Sequence, residues 1–271
     1  MTAVLPEDLL ERFDSFLLDL DGVLYRGAEA IPGAAEGVRA LREAGRVVFM
    51  TNNATRTPEE VASFMTELGI EARAEEVVTS AIATAELMRD RAGATAFVIG
   101  ERGLREALGG VGIEIMDGDP ERVDLVVVGL DRSVDYARLK RAALLVQRGA
   151  KLIGSNPDRT FPAQDGLWPG AGALLAAVEA ATDATPTIVG KPHAPLFETA
   201  RSRAGGGRPL VIGDRLDTDI AGAAALGWDS LLVLTGVTRE EDLRDAGVLP
   251  TYVAPDLAAV SKLRSGPAAA G

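Results

Sequence analysis

The sequence predicts an α/β fold built on a mainly parallel sheet, and three observations predict it. Apolar, strand-length runs alternate with amphipathic helical stretches along almost the whole chain. Two of those runs, Val126-Val127-Val128 and Leu231-Leu232-Val233, are apolar on both faces, as strands covered by helices on both sides are. Polar clusters stand directly after several strands, where ligands bind in open parallel sheets.

Taken in order, Phe16–Leu20 reads as a buried strand and Ala34–Ala44 as a helix with Val38 and Leu41 inward. Arg46–Met50 is a strand. Pro58–Leu68 is a helix, with Thr57 as N-cap and Pro58 at its first position, where the missing N–H costs nothing. Val77-Val78-Thr79 is a short strand and Ala81–Arg91 a helix. Thr95–Gly100, Asp124–Gly129 and Lys151–Gly154 are strands with helices between them. Leu174–Ala181 is a helix and Thr187–Val189 a short strand. Pro209–Gly213 and Leu231–Leu234 are strands flanking a helix around Asp219–Leu226. The central block, roughly residues 80–184, has its own strands and helices and reads as an inserted domain. Residues 1–79 and 185–271 then form the core. The small-residue tail Ser265–Gly271 is expected to be disordered.

Composition narrows the function classes. Of the 271 residues, 47% are hydrophobic and only 4% aromatic, so the core is aliphatic. The net charge of -12, with no Lys/Arg block, argues against a nucleic-acid partner. The absence of cysteine excludes disulfides, thiol catalysis and cysteine-based metal sites. A single histidine, His193, excludes a multi-histidine metal centre. Met1–Asp8 has neither a basic segment nor an apolar one, so no signal peptide is expected. No apolar run is long enough for a membrane helix, and a cytoplasmic protein is expected.

The candidate chemistry begins at Asp19-Leu20-Asp21-Gly22, where a core strand ends in two carboxylates. Like charges at a strand end repel and resist desolvation, so they call for a cation or a proton between them. Thr51-Asn52-Asn53 supplies a hydroxyl and amides at the next strand end. Lys191, one of four lysines, lies in Gly190-Lys191-Pro192 between a strand and a helix, and Asp214 follows the strand Pro209–Gly213. Phosphoryl transfer to a carboxylate needs these groups. A phosphate monoester dianion and an attacking aspartate repel, so a divalent metal and a fixed cation must offset that repulsion. Neutral donors must hold the phosphate oxygens, and an acid must protonate the leaving alkoxide. Asp19 suits the nucleophile, Asp21 the acid/base, Thr51 and Asn52 the phosphate cradle, and Asp214 an oxygen-rich Mg²⁺ site.

In this order the motifs resemble the haloacid dehalogenase (HAD) phosphohydrolase superfamily: Asp19-Leu20-Asp21-Gly22-Val23, Thr51-Asn52-Asn53, Lys191-Pro192, and Gly213-Asp214 followed by Asp219. The large block between Asn53 and Lys191, with Pro169-Gly170-Ala171-Gly172, resembles the subfamily of 4-nitrophenyl, phosphoglycolate, pyridoxal and glycerol 3-phosphate phosphatases. The resemblance spans about Asp14 to Asp256. It implies a Rossmann-like parallel-sheet core with an inserted α/β cap domain that selects the substrate, and Mg²⁺ as cofactor. Asp19 would become an aspartyl-phosphate and bind Mg²⁺. Asp21 would be the acid/base, with its main-chain carbonyl on the metal, and Asp214 the remaining protein ligand. Thr51, Asn52 and Asn53 would contact phosphate, and Lys191 would bridge phosphate and Asp19. Gly22 would turn main-chain N–H groups toward phosphate, and Asp219 would orient the neighbours of the metal.

The resemblance further implies a small phosphorylated metabolite as substrate, glycerol 3-phosphate or 2-phosphoglycolate first, no membrane partner, and pairing of two copies through the cap. In the cap, Arg159 of Asn156-Pro157-Asp158-Arg159-Thr160-Phe161 suits an anionic or polyol substrate, and Gly129-Leu130-Asp131-Arg132 is a second candidate. Some relatives carry a histidine near the first loop, where Phe161 stands here. Asp217 reads as a residue favouring a helix N-terminus. Arg56 and Arg215 serve either a substrate anion or surface ion pairs, and His193 has no assigned part. Two rivals remain open: a phospho-aspartate switch and a phospholigand-binding protein without turnover.

Overall fold

The computed structural model describes residues 5–163 and 165–264. The tail expected to be disordered, and the first four residues of the segment read as lacking a signal peptide, lie outside these. The chain divides into two compact units. One comprises Met1–Thr51, Glu59–Val77 and Phe197–Gly271, the other Asn52–Pro58 and Val78–Leu196.

The first unit is built on a six-stranded sheet. Its strand order is Tyr252–Ala254, Asp229–Val233, Pro209–Gly213, Ser15–Asp19, Arg46–Thr51, Val77–Thr79. Ser15–Asp19 pairs in parallel with both neighbours, Leu18 lying opposite Ile212 on one side and Phe49 on the other. Phe16, Leu17 and Leu18 are all fully buried, because helices cover both faces of the sheet and leave no solvent side for alternation. From this strand the chain builds outward first on one side and then on the other. The strand order therefore reverses beside Ser15–Asp19, the place where open α/β sheets bind ligands. The helix Ala34–Ala44 buries Val38 and Leu41, as its spacing predicts.

The second unit holds a five-stranded parallel sheet in the order Thr187–Ile188, Lys151–Gly154, Leu125–Val128, Thr95–Ile99, Glu114–Ile115. Phe97, Ile99, Val126, Val128, Leu145 and Leu175 form its core. The sequence boundary at residue 184 and the unit boundary at Leu196 differ for a physical reason. Thr187–Ile188 adds to the edge of this sheet by pairing with Ile153–Gly154, which carries the following residues with it.

Four local departures from the sequence expectations stand out. The helix expected around Asp219–Leu226 starts as a π-turn over Leu216–Ile220, and only Ala221–Ala225 is α-helical. The helix expected over Ala81–Arg91 ends at Leu87 and gives way to a 3₁₀ turn at Arg89–Arg91. The polar connection after Asn156 runs into an antiparallel hairpin, Thr160–Ala163 with Gly166–Pro169, in which Phe161 and Trp168 pack edge to face at 5.9 Å. Pro162, Gly166 and Pro169 mask the strand signal there. The strand Tyr252–Ala254 is short and flanked by prolines. Among the described residues no helix is long and apolar enough to cross a membrane.

One ion pair locks the edge of the first unit. Arg42, in the last turn of Ala34–Ala44, engages both carboxylate oxygens of Glu76, with Nη2 to Oε2 at 2.6 Å, and donates to Glu71 O at 2.9 Å. The two side chains are only 20% and 16% exposed, so water screens them little. Partial burial pushes the Glu76 carboxyl up, but hydrogen bonds from Arg42 and from the Arg73 N–H outweigh it and hold it below its ordinary value. Because folding lowers this pKa, the pair stabilises fully above the unfolded-chain value of about 4.3 and ceases to do so as pH falls through the lower folded value. Glu76→Gln should therefore cost about 1.5–3 kcal/mol at pH 7. In urea titrations the gap to the native chain should narrow steadily below about pH 4; an unchanged gap would contradict the assignment.

Candidate functional site

In the first unit the carboxylates of Asp19, Asp214 and Asp219 come together, one oxygen from each lying within 4.8 Å of the others. Strand pairing explains the meeting. Asp19 ends one strand, Asp214 follows the strand paired beside it, and Asp219 is returned to them by the π-turn. All three are buried, at 7%, 1% and 0% exposure. Thr51, also buried, ends the strand on the other side, where Asp19 pairs with Met50.

Glycine makes the space. At Gly22, φ is +81°, and a Cβ there would stand 2.5 Å from Asp214 Oδ2. A Cβ on Gly236 would overlap the Asp214 side chain, and one on Gly213 would overlap Asp219. The Val237 N–H donates to Asp214 Oδ2 at 2.6 Å. Asp219 Oδ2 accepts from Arg215 N–H and from Thr218 Oγ1, each at 3.3 Å. The turn at Gly22 is closed by its N–H to Tyr25 O at 2.8 Å and by Thr235 Oγ1 donating to Gly22 O at 2.6 Å.

Three carboxylates held this close and out of water repel one another, so the arrangement demands positive charge. The donors are oxygens alone, the set that a hard divalent cation such as Mg²⁺ takes in preference to softer ions. The residues therefore fit such an ion. Asp219, expected only to orient its neighbours, sits inside the carboxylate cluster. Asp21 is exposed, and its side chain is outside the cluster; the contact expected of it is through its main-chain carbonyl.

In the second unit a different network forms around Lys191, which is 3% exposed. The Asn52 side chain clasps the Lys191 backbone: Oδ1 accepts from Lys191 N–H at 2.7 Å, and Nδ2 donates to Lys191 O at 3.1 Å. The same Nδ2 donates to Asp158 Oδ2 at 3.1 Å. Asn52 O accepts from Ser80 Oγ at 2.6 Å and from Asn156 Nδ2 at 2.7 Å. Gly190 must lack a side chain, since a Cβ there would lie 2.5 Å from Asn52 Oδ1.

Two of the residues expected at the phosphate have side chains engaged with protein partners. The Asn52 amide is spent on Lys191 and Asp158, which leaves its side chain a positioning group. Asn53 is exposed, and its Oδ1 accepts from the Thr55 N–H at 2.9 Å and hydroxyl at 2.8 Å, a local Asx turn. Asp158, Asn156 and Ser80 enter the network although the sequence marked only a turn-rich loop at 156–161. The Gly170 and Gly172 N–H groups hold the loop that carries Asp158, donating to Arg159 O and Asp158 O, each at 2.8 Å.

Other candidates are placed as follows. Arg159 is exposed. In the second cap candidate, Asp131 accepts from the Ser133 N–H and hydroxyl, and Arg132 forms a two-pronged pair with Glu101 at 2.7 Å, so both side chains are used internally. Arg215 likewise pairs with Asp217 at 3.0 and 2.8 Å and holds that carboxyl below its usual range. His193 is exposed.

Two family models match the chain. A family model described as haloacid dehalogenase-like hydrolase matches residues 16–114, and one described as HAD-hydrolase-like matches residues 188–260. An acid sugar phosphatase from Staphylococcus haemolyticus is 39% identical over 259 residues, 94% of this chain and 98% of that protein. A glycerol phosphate phosphatase from Mycobacterium tuberculosis, solved in complex with magnesium, superposes with a TM-score of 0.87 at 38% identity. That match covers 93% of this chain and 79% of the other. A 4-nitrophenylphosphatase from Thermotoga maritima superposes with a TM-score of 0.86 at 34% identity, covering 93% and 98% of the two chains.

The clasp at Lys191 is open to test. Asn52→Asp puts a carboxylate against Asp158 and removes the donor to Lys191 O. It should cost about 1–3 kcal/mol of unfolding free energy at pH 7. Adding Asp158→Asn should return part of that loss; a double variant no better than the single one would show that the pair does not interact.

Proposed function

The chain belongs to the haloacid dehalogenase-like hydrolases, and from that membership we propose that it hydrolyses small phosphomonoesters of polyols and sugars at the Asp19 cluster, with Mg²⁺ as cofactor. The observation that carries the reading is the buried set of Asp19, Asp214 and Asp219 beside the strand where the sheet order reverses. The names of the relatives support the substrate class, since they include phosphatases of sugar and glycerol phosphates.

In this reading Asp19, Asp214 and Asp219 hold the ion. Bound Mg²⁺ supplies the positive charge that lets a phosphate dianion approach a carboxylate. Asp19 attacks phosphorus through one carboxylate oxygen, and the bond to the ester oxygen breaks. Asp21 gives that oxygen its proton, so the alcohol leaves neutral. The exposure of the Asp21 carboxyl suits this shuttling part, because it must exchange protons with water. Asp21 then takes a proton from a water molecule, whose oxygen attacks phosphorus, releasing phosphate and restoring Asp19. The Thr51 hydroxyl and main-chain N–H groups after Asp19 hold the phosphate oxygens. Lys191, its backbone fixed by Asn52, supplies a second positive charge.

Phosphate release from a panel of phosphomonoesters, measured with Mg²⁺ and with chelator, tests this. Repeated turnover should occur only with Mg²⁺, with sugar and polyol esters ahead. No release from any ester would contradict the reading, and stoichiometric labelling without turnover would favour a phospho-aspartate switch.

Two substitutions separate the carboxylates. Asp19→Asn should leave no more than a few per cent of activity. Asp21→Asn should slow alkyl esters by roughly 10²–10⁴-fold. With 4-nitrophenyl phosphate, whose leaving group needs no proton, Asp21→Asn should give a burst of nitrophenolate equal to the enzyme, followed by slow turnover. Loss of the burst would remove Asp21 from the second step.

A further inference from the structure

A cavity of about 410 Å³ opens in the first unit where the helix Ala34–Ala44 ends and the strand Arg46–Thr51 begins. Arg42, Arg46, Arg73 and Arg203 line it, with Glu75 and Glu76. Four arginines beside two glutamates in one lining is unexpected in a chain whose net charge is -12. The cavity lies far from the carboxylate cluster. Arg46 is the first residue of its strand and Thr51 the last, and five steps of about 3.3 Å put the two ends about 16 Å apart.

The charges there are not all answered. Glu76 is taken by Arg42. Arg203 is anchored through Nη1 alone, to Glu75 O at 3.5 Å and Val77 O at 3.2 Å. Arg73 pairs with Glu71 at 3.8 Å, with both side chains about two-thirds exposed (62% and 67%), a pairing of little strength. The Arg46 side chain is exposed and makes no hydrogen bond or ion pair among the described residues. Three of the four lining arginines thus lack a strong carboxylate partner among the described residues. The planar guanidinium fork matches the paired oxygens of a phosphate group, and a cavity of this volume admits the small molecule that carries one.

We propose that this cavity is a second anion site, separate from the carboxylate cluster, and that it binds a small phosphate-bearing metabolite or free phosphate. Its four arginines come from the helix Ala34–Ala44, the strand Arg46–Thr51, the segment before Val77 and the helix Ala194–Arg203. A ligand joining them stabilises the unit without touching the metal-binding carboxylates.

The test is calorimetric titration of the full chain with inorganic phosphate in the presence of chelator, at fixed ionic strength. Without metal, Asp19, Asp214 and Asp219 repel phosphate, so a signal there reports the arginine cavity. Saturable binding at one phosphate per chain is expected, with a matching rise in melting temperature. Both should weaken at least tenfold in Arg46→Gln/Arg73→Gln. These two side chains are exposed, so the variant should melt like the native chain without phosphate, and its Mg²⁺-dependent turnover of 4-nitrophenyl phosphate should stay within twofold. No saturable binding to the native chain would overturn the proposal. So would equal binding by the double variant, or an equal effect of chloride at the same ionic strength. These results stand apart from the phosphatase reading, because metal-free binding does not require turnover.

Discussion

Three carboxylates that repel one another are the constraint on which the first unit depends. One carboxylate oxygen from each of Asp19, Asp214 and Asp219 lies within 4.8 Å of the others in a buried place, which costs free energy unless positive charge offsets it. The surrounding structure concentrates the negative charge. Parallel pairing brings two strand ends side by side, and the π-turn folds Asp219 back onto them. Gly22, Gly213 and Gly236 let the backbone approach where any side chain would intrude. The Val237 N–H holds Asp214 and the Arg215 N–H holds Asp219. A cation held by these carboxylates would add its binding free energy to the stability of the folded unit.

The second unit applies the same economy of polar groups to a lysine. The buried Lys191 has its backbone held by both ends of the Asn52 amide. That use explains why asparagine follows Thr51. A carboxylate would repel Asp158, and a shorter side chain would not span to the Lys191 peptide. The Gly170 and Gly172 amides hold the Asp158–Arg159 carbonyls from the far side, so the loop carrying Asp158 is braced from two directions.

Much of this was legible in the residues. The strands that end at Asp19, Thr51 and Gly213 announce themselves by unbroken apolar runs, because helices cover both sheet faces. The acidic residues stand out because they follow such runs. What escaped was whatever depends on the direction of a side chain. Sequence spacing puts Asp21 next to Asp19 but cannot say that one faces the cluster and the other faces water. It marks Asn52 and Asn53 as polar residues at a strand end, yet their amides turn to Lys191 and Thr55. The arginine cavity was invisible for a related reason. Arg42, Arg46, Arg73 and Arg203 form no block in the chain, and only the tertiary fold brings them to one wall.

The central claim, that the buried aspartates form one cation site, is tested most directly by titrating the metal-free protein with Mg²⁺ in a calorimeter without any phosphate present. The account predicts a single site per chain, with affinity lost in Asp214→Asn while the variant keeps its fold by circular dichroism. Stoichiometric binding that survives Asp214→Asn unchanged, or no binding by the native chain, would contradict it.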